Sequence, residues 1–384
     1  MIEQNYRHSD QLRADFSQAL SDMYRTEVPA YGTLIDIVGQ INADHEGIRS
    51  DGERHGAIRL GTSEELNLIG RVFAVLGLHP VGYYDLSVAG LPVHSTAFRP
   101  ITEEGFKTSP FRMFTSLLRL DMLPKDIRHK AEAALASRQI FSNAGLALLE
   151  QAEREGGLNA KDGARFVEEA VAIFAWRKHA HVDLATYQAL LAEHPLIADI
   201  VSFQGPHMNH LTPRVADIDA AQEMMAKAGL DIKDKIEGPP RRNIPILLRQ
   251  TAFKALTESV EFKTDTGWET AQHTARFGEI EQRGIALTPK GRTLYDSCLA
   301  HKDFSAFPDA HAELKSQGLA YYNAADEPLT YEDFLPVSAA GIFKSNLRET
   351  GSVAAQTATG SQTAFETALG RPVLDMFELY AALD

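Results

Sequence analysis

Apolar residues recur at helical spacing from near the start of the chain. Leu12, Phe16, Leu20 and Met23 fall on one face, and after a Val28-Pro29 break Ile35, Val38 and Ile41 continue the stripe. The spacing predicts helix over 10–42. A polar loop with Gly47, Ser50, Asp51 and Gly52 follows, and RHGAIRLGT (54–62) reads as a short strand closing on Gly61-Thr62. Helical spacing returns over 64–76 and stops at Gly77, and 81–86 and 92–98 read as strands joined at Ala89-Gly90. The order is strand, helix, strand, strand.

Residues 110–195 change character: they are rich in Ala, Leu and Glu, and their pattern predicts helix almost throughout. Strand signals return over 200–215 in IVSFQGPHMNHLTPRV, a helix over 220–228 ends at Gly229, and 244–253, 260–263 and 275–288 read as further strands. One order of elements therefore occurs twice, on either side of a helical block, with no residue-level repeat to accompany it. SVAAQTATGSQTA (352–364) reads as a loop before a final amphipathic helix over 373–383.

Composition narrows the function classes. A chain of 384 residues, 44% hydrophobic and 23% charged, is long enough to bury a large core and is not a disordered or fibrous sequence. Its formal charge of −14 repels phosphate backbones and argues against nucleic acid as a partner, although a few local arginines can still hold an anionic substrate. The first 22 residues lack the apolar segment of a signal peptide and no run of 18 apolar residues occurs, so a cytoplasmic protein with no membrane span is expected. With a single cysteine, Cys298, any transition metal must be held by carboxylates and by some of the 14 histidines.

Three segments carry candidate chemistry. His55, Ala57 and Arg59 share one face of the first strand, either as a solvated face or as an imidazole and a guanidinium aimed into one space. His207 and His210 are three apart, so in an extended chain only one can enter a given cavity. His210, on the same face as Thr212, is favoured over His207 beside Pro206; a turn histidine bonded to backbone is the plainer alternative. Glu279, Glu281 and Arg283 also share a face, either on an exposed edge strand with a Glu281–Arg283 pair or inside, where a partner or a metal must compensate them. Two histidines and a carboxylate make the facial triad of non-haem Fe(II) oxygenases, but residues so far apart in sequence cannot select it by spacing. His179 and His181, in a helix-like run after Trp176, read as structural or surface residues.

Longer motifs supply the specificity. FGEIEQRG resembles the glutamate-bearing last strand of 4-hydroxyphenylpyruvate dioxygenase and hydroxymandelate synthase, members of the vicinal oxygen chelate superfamily. RHGAIRLG, YDLSVAGLPVHSTAFRP, HMNHLTPR, FGEIEQRGIALTPKGR and FLPVSAAGIF together resemble the 2-oxoadipate dioxygenase/decarboxylase family over roughly 25–350. The resemblance implies an Fe(II) site at His55, His210 and Glu279, with Glu279 rather than Glu281 as the ligand. It implies that Arg59 grips a substrate carboxylate and that Val337 and Ser338 contact the substrate. His94, Gln250, Glu281 and Arg283 lie in family-like motifs and are candidates for supporting the site. The implied reaction converts 2-oxoadipate and O₂ to (D)-2-hydroxyglutarate and CO₂ in lysine catabolism, the substrate supplying its own 2-oxo acid.

The expected architecture is α+β: vicinal oxygen chelate-type paired βαβββ modules forming a half-open barrel around a metal, with a large helical insertion. As one elaborated metalloenzyme domain, the chain divides into N-terminal helices (1–45), a first module (50–100), the insertion (105–198), a second module (200–300) and a C-terminal extension reaching the site (301–384). Two other functions fit the same fold: a Zn- or Ni-dependent glyoxalase-like isomerase or hydrolase, and a non-enzymatic binding module for a metal or small acid.

Overall fold

The Val28-Pro29 break ends helix α1 (Ser9–Glu27) and opens α2 (Pro29–Ala43), with Pro29 in the first turn, where its missing N–H is no loss. The computed structural model describes residues 6–45, 52–335 and 360–384. Leu12, Phe16 and Leu20 of α1 are buried, as their spacing predicts, while Met23 is half-buried and Tyr24 takes the next buried position.

The first module is β1 (Arg54–Leu60), α3 (Ser63–Val75), β2 (His79–Asp85), β3 (Val93–Arg99) and β4 (Phe111–Leu118). Thr62 caps α3 by accepting from the Glu65 amide. The strands lie in the order β2-β3-β4-β1, with β4 parallel to β1 and antiparallel to β3. β4 is a correction to the sequence reading, which placed residues 110–118 in helix and ended the module near 100. Its sequence, FRMFTSLL, is buried on both faces, so it lacks the alternation that marks a half-exposed strand.

Helix α4 (Glu103–Thr108) joins β3 to β4; after β4 come helices α5 (Lys125–Ala136), α6 (Asn143–Glu155) and α7 (Ala160–Ala172), then a second unforeseen strand, β5 (His179–Asp183). Ala180 and Val182 of β5 face inward while His179 and Asp183 are exposed, a period of two hidden in an Ala-rich stretch. His179 and His181 are therefore strand residues; His179 pairs with Glu261 at 2.8 Å on the surface. Helices α8 (Leu184–Glu193) and α9 (Pro195–Val201) lead to β6 (His210–Pro213), so the strand expected from 200 begins only at 210.

β6 runs antiparallel to β1, with Ala57 opposite His210 and His55 opposite Thr212. It opens the second module, followed by α10 (Ile218–Lys227), β7 (Leu248–Ala252), a hairpin of β8 (Thr257–Thr264) and β9 (Gly267–Thr274), and β10 (Glu279–Arg283). Bridges join Ile232 to Phe253 and Glu237 to Gln250, so the segment 232–237 acts as a strand beside β7. β7 is antiparallel to β10, and β10 is bridged in parallel to Arg214 just after β6. The lateral order β6, β10, β7, 232–237 thus repeats that of β1, β4, β3, β2. The duplication inferred from element order is present, with the β8–β9 hairpin inserted before the last strand and joined to β5 in a separate sheet.

After α11 (Pro289–His301) and α12 (His311–Ser316), residues Tyr331–Leu335 are buried, and helices Gly360–Leu369 and Met376–Ala381 close the chain. Residues 360–364 of the expected loop are helical. Val337 and Ser338 lie outside the described residues. Among the described residues, no helix is long and apolar enough to cross a membrane.

Candidate metal centre

Strand parity decides which side chains meet. On β1, His55, Ala57 and Arg59 face one side of the sheet, and the β1–β6 register places Thr212 and His210 on that same side. On β10, Glu279 and Glu281 share a face with Ala252 and Gln250 of β7, which lie directly opposite them. Where the modules join, one donor atom each from His55, His210 and Glu279 lies within 4.8 Å of the others, and all three residues are buried. His207, off the strand, does not join them.

The hydrogen bonds around these residues set their protonation. Glu281 Oε2 stands 2.9 Å from His55 Nδ1, and Nε2 of that ring is 3.2 Å from Glu279 Oε1. Arg283 donates to both oxygens of Glu281, each at 2.8 Å, which holds that carboxylate ionised and well below its usual range against the upward push of burial. An ionised carboxylate can only accept, so Nδ1 of His55 carries a proton, and Nε2, facing Glu279, is the nitrogen left for a metal to take in place of a proton. Thr212 Oγ1 donates to Glu279 Oε1 at 3.1 Å. Its single proton thus committed, it accepts from His210 Nδ1 at 2.9 Å, leaving Nε2 of His210 bare.

Gln250 Nε2 donates to the same Glu279 oxygen at 2.8 Å, whereas the buried Glu279 Oε2 has no hydrogen-bond partner. Two histidines, each with Nδ1 committed to a neighbour, and a carboxylate with one oxygen left unsatisfied in a buried site form a donor set for a divalent cation. Burial pushes His210 down to about 3, keeping it neutral. Burial also lowers His55, but Glu281 and Glu279 outweigh it and raise the ring above its usual value, so a proton competes with metal there.

Four residues to which the sequence reading gave no role in the site complete the walls. Phe277 stacks on His210 with centroids 4.7 Å apart, and Phe334 meets His55 edge-on at 4.9 Å. Lys233, buried, lies across Ala252 from Glu279, donating its amide to the Ala252 carbonyl at 2.9 Å. Thr212 is the fourth. Phe277 and Thr212 share strand parity with Glu279 and His210, a signal the sequence did contain; Lys233 and Phe334 reach the site only through tertiary pairing.

Gln250, Glu281 and Arg283 thus touch the triad or its immediate partners. His94 does not: the β3–β4–β1 register puts it on the face of Leu117 and Leu60, opposite to His55 and Arg59. There it bonds the Tyr83 hydroxyl at 3.1 Å and packs against Phe365. The motif match carried no information about strand parity. Arg59 is buried and forms an ion pair through Nη1 with Oδ2 of Asp199 on α9.

Comparison with known proteins bears on this geometry. The 2-oxoadipate dioxygenase/decarboxylase family model matches residues 16–346. The chain is 47% identical to the 2-oxoadipate dioxygenase/decarboxylase of Escherichia coli (strain K12), over 97% of this chain and 96% of that one. It is 48% identical to the protein of that name from Pseudomonas putida, over 97% and 94%. Among solved structures, the hydroxyglutarate synthase from Pseudomonas putida in complex with 2-oxoadipate aligns with a TM-score of 0.90 and 45% identity, covering 98% of this chain and 96% of that one.

Proposed function

Because the chain belongs to the 2-oxoadipate dioxygenase/decarboxylase family, we propose that it oxidatively decarboxylates 2-oxoadipate with O₂, at Fe(II) held by His55, His210 and Glu279. The products are (D)-2-hydroxyglutarate and CO₂, and the pathway served is lysine catabolism. What supports this reading is the buried cluster itself: one donor atom each from His55, His210 and Glu279 lies within 4.8 Å of the others, and Oε2 of Glu279 has no hydrogen-bond partner. Three protein ligands on one side suit a metal that must also accept substrate.

Bound there, iron would supply the redox chemistry that couples O₂ to loss of CO₂ from a 2-oxo acid. The chain's own residues do the rest. Glu281 fixes the plane and tautomer of His55, Thr212 does the same for His210, and Gln250 with Thr212 holds one oxygen of Glu279, which would leave the other free for a metal. Phe277 and Phe334 line the site with apolar surface, which excludes water around the reacting carbons. Arg59 would take the remote carboxylate of the diacid, because a planar guanidinium fixes chain direction as well as charge. The segment at Val337 and Ser338 would add backbone and hydroxyl contacts.

The test is a balance of atoms. Protein loaded anaerobically with Fe(II) and then given 2-oxoadipate and O₂ should consume one O₂ and release one CO₂ for each 2-hydroxyglutarate formed. Turnover by Zn(II)-loaded protein without O₂ uptake would instead favour an isomerase or hydrolase.

A further inference from the structure

Beyond the metal centre lies a second buried cluster, Asp199, His207 and His273, in which one donor atom from each lies within 4.8 Å of the others. Asp199 is 3% exposed and fully engaged. Its Oδ1 is 3.0 Å from Nε2 of both His207 and His273. Its Oδ2 takes Nη1 of Arg59 and accepts from Asn209 Nδ2 at 3.2 Å. These partners keep the carboxylate ionised although burial pushes it the other way, so both imidazoles must donate their Nε2–H. The far nitrogen of His273 meets the Tyr187 hydroxyl at 3.1 Å. A guanidinium already sits on the carboxylate, so the cluster is poorly suited to a cation.

We propose that Asp199, held by His207, His273 and Asn209, is a positioning residue that fixes the Arg59 guanidinium and thereby sets the preference for a 2-oxo acid with a second, remote carboxylate. The inference rests on the assignment of Arg59 to that carboxylate. Four elements converge on Asp199: β1 with Arg59, the segment before β6 with His207 and Asn209, β9 with His273, and α9 itself. An arginine on a strand keeps several rotatable bonds, and a carboxylate held by three other donors removes that freedom at the guanidinium end. It also explains why His207, one residue beyond Pro206, is buried without being a metal ligand.

Asp199→Asn keeps the shape and removes the charge. We expect it to raise KM for 2-oxoadipate by about tenfold or more with a smaller change in kcat, while kcat/KM for 2-oxohexanoate moves less than about threefold. His273→Gln, which retains a donor, should shift the same ratio in the same direction by less, and it keeps the test open should Asp199→Asn fold poorly. In an Arg59→Ala background, Asp199→Asn should have no further effect on the ratio. Equal losses on both substrates, or an undiminished effect of Asp199→Asn without Arg59, would overturn the positioning role. So would a second equivalent of bound metal that His273→Gln abolishes. If Arg59→Ala keeps the preference for 2-oxoadipate, the assignment of Arg59 itself fails; if Arg59→Ala loses it while Asp199→Asn and His273→Gln keep it, only the present inference fails.

Discussion

Oε2 of Glu281 stands 2.9 Å from Nδ1 of His55, two residues whose strands belong to different modules. On the proposed assignment of His55 as a metal ligand, the contact makes Glu281 its orienting partner rather than a ligand itself. Glu281→Gln removes the acceptor charge and leaves Arg283 buried beside a neutral amide. Metal affinity should fall about 10- to 100-fold, a loss typical of such outer partners, and the melting temperature should drop with it. Titration of Co(II) as a spectroscopic probe measures the first, and calorimetry the second.

Gly284 closes the EQRG motif for a steric reason. A Cβ there would lie 2.2 Å from the carbonyl carbon and oxygen of Pro245, main-chain atoms that cannot rotate away. Gly284→Ala should therefore destabilise the fold by about 1–3 kcal/mol or more. It should also weaken metal binding by displacing the neighbouring Arg283. Urea unfolding reads the stability, and an unchanged midpoint would be inconsistent with this packing.

His94 makes a distinct contribution to acid stability. Burial, reinforced by Arg119, pushes its pKa down to about 4 from an ordinary 6.5. Between these values the unfolded chain binds a proton that the folded chain does not. The stabilising contribution is thus complete above pH 6.5 and is lost as pH falls toward 4, by about 3 kcal/mol in all. His94→Gln should flatten this part of the stability profile between pH 4 and 6.5 while leaving metal affinity unchanged. A parallel profile for parent and variant would count against it.

Arg59→Lys should restore only part of what Arg59→Ala loses on 2-oxoadipate, since an ammonium lacks the planar fork. Loss of the guanidinium from a buried anion site typically costs about 2–5 kcal/mol. Steady-state kinetics with 2-oxoadipate and 2-oxohexanoate would show a large loss for the first and a small one for the second. Equal losses would place Arg59 at the metal-proximal carboxylate or in support of the fold.

Much of this architecture is legible in the residues. The helix break at Pro29, the strand at His55 and the helix before Gly77 follow from periodicity and capping chemistry. The shared faces of His55 with Arg59, of His210 with Thr212 and of Glu279 with Glu281 follow from strand parity alone. Their meeting in one place does not, because it depends on β6 crossing to β1 and on β10 reaching Arg214, pairings between distant segments. β4 is not legible because a strand buried on both faces lacks alternation and buried Arg112, Thr115 and Ser116 interrupt its apolar run, and β5 because its alternation sits among alanines. Asp199 was missed because it lies on a short helix, and only the tertiary fold brings it to Arg59 and His273.

Fe(II) binding to single-site variants under anaerobic conditions tests the metal centre most directly. The parent should bind one Fe(II) per chain, and so should His207→Ala. His55→Ala, His210→Ala and Glu279→Ala should bind none while keeping the parent's circular dichroism. Full binding by His210→Ala together with loss in His207→Ala would contradict the assignment of the triad to His55, His210 and Glu279.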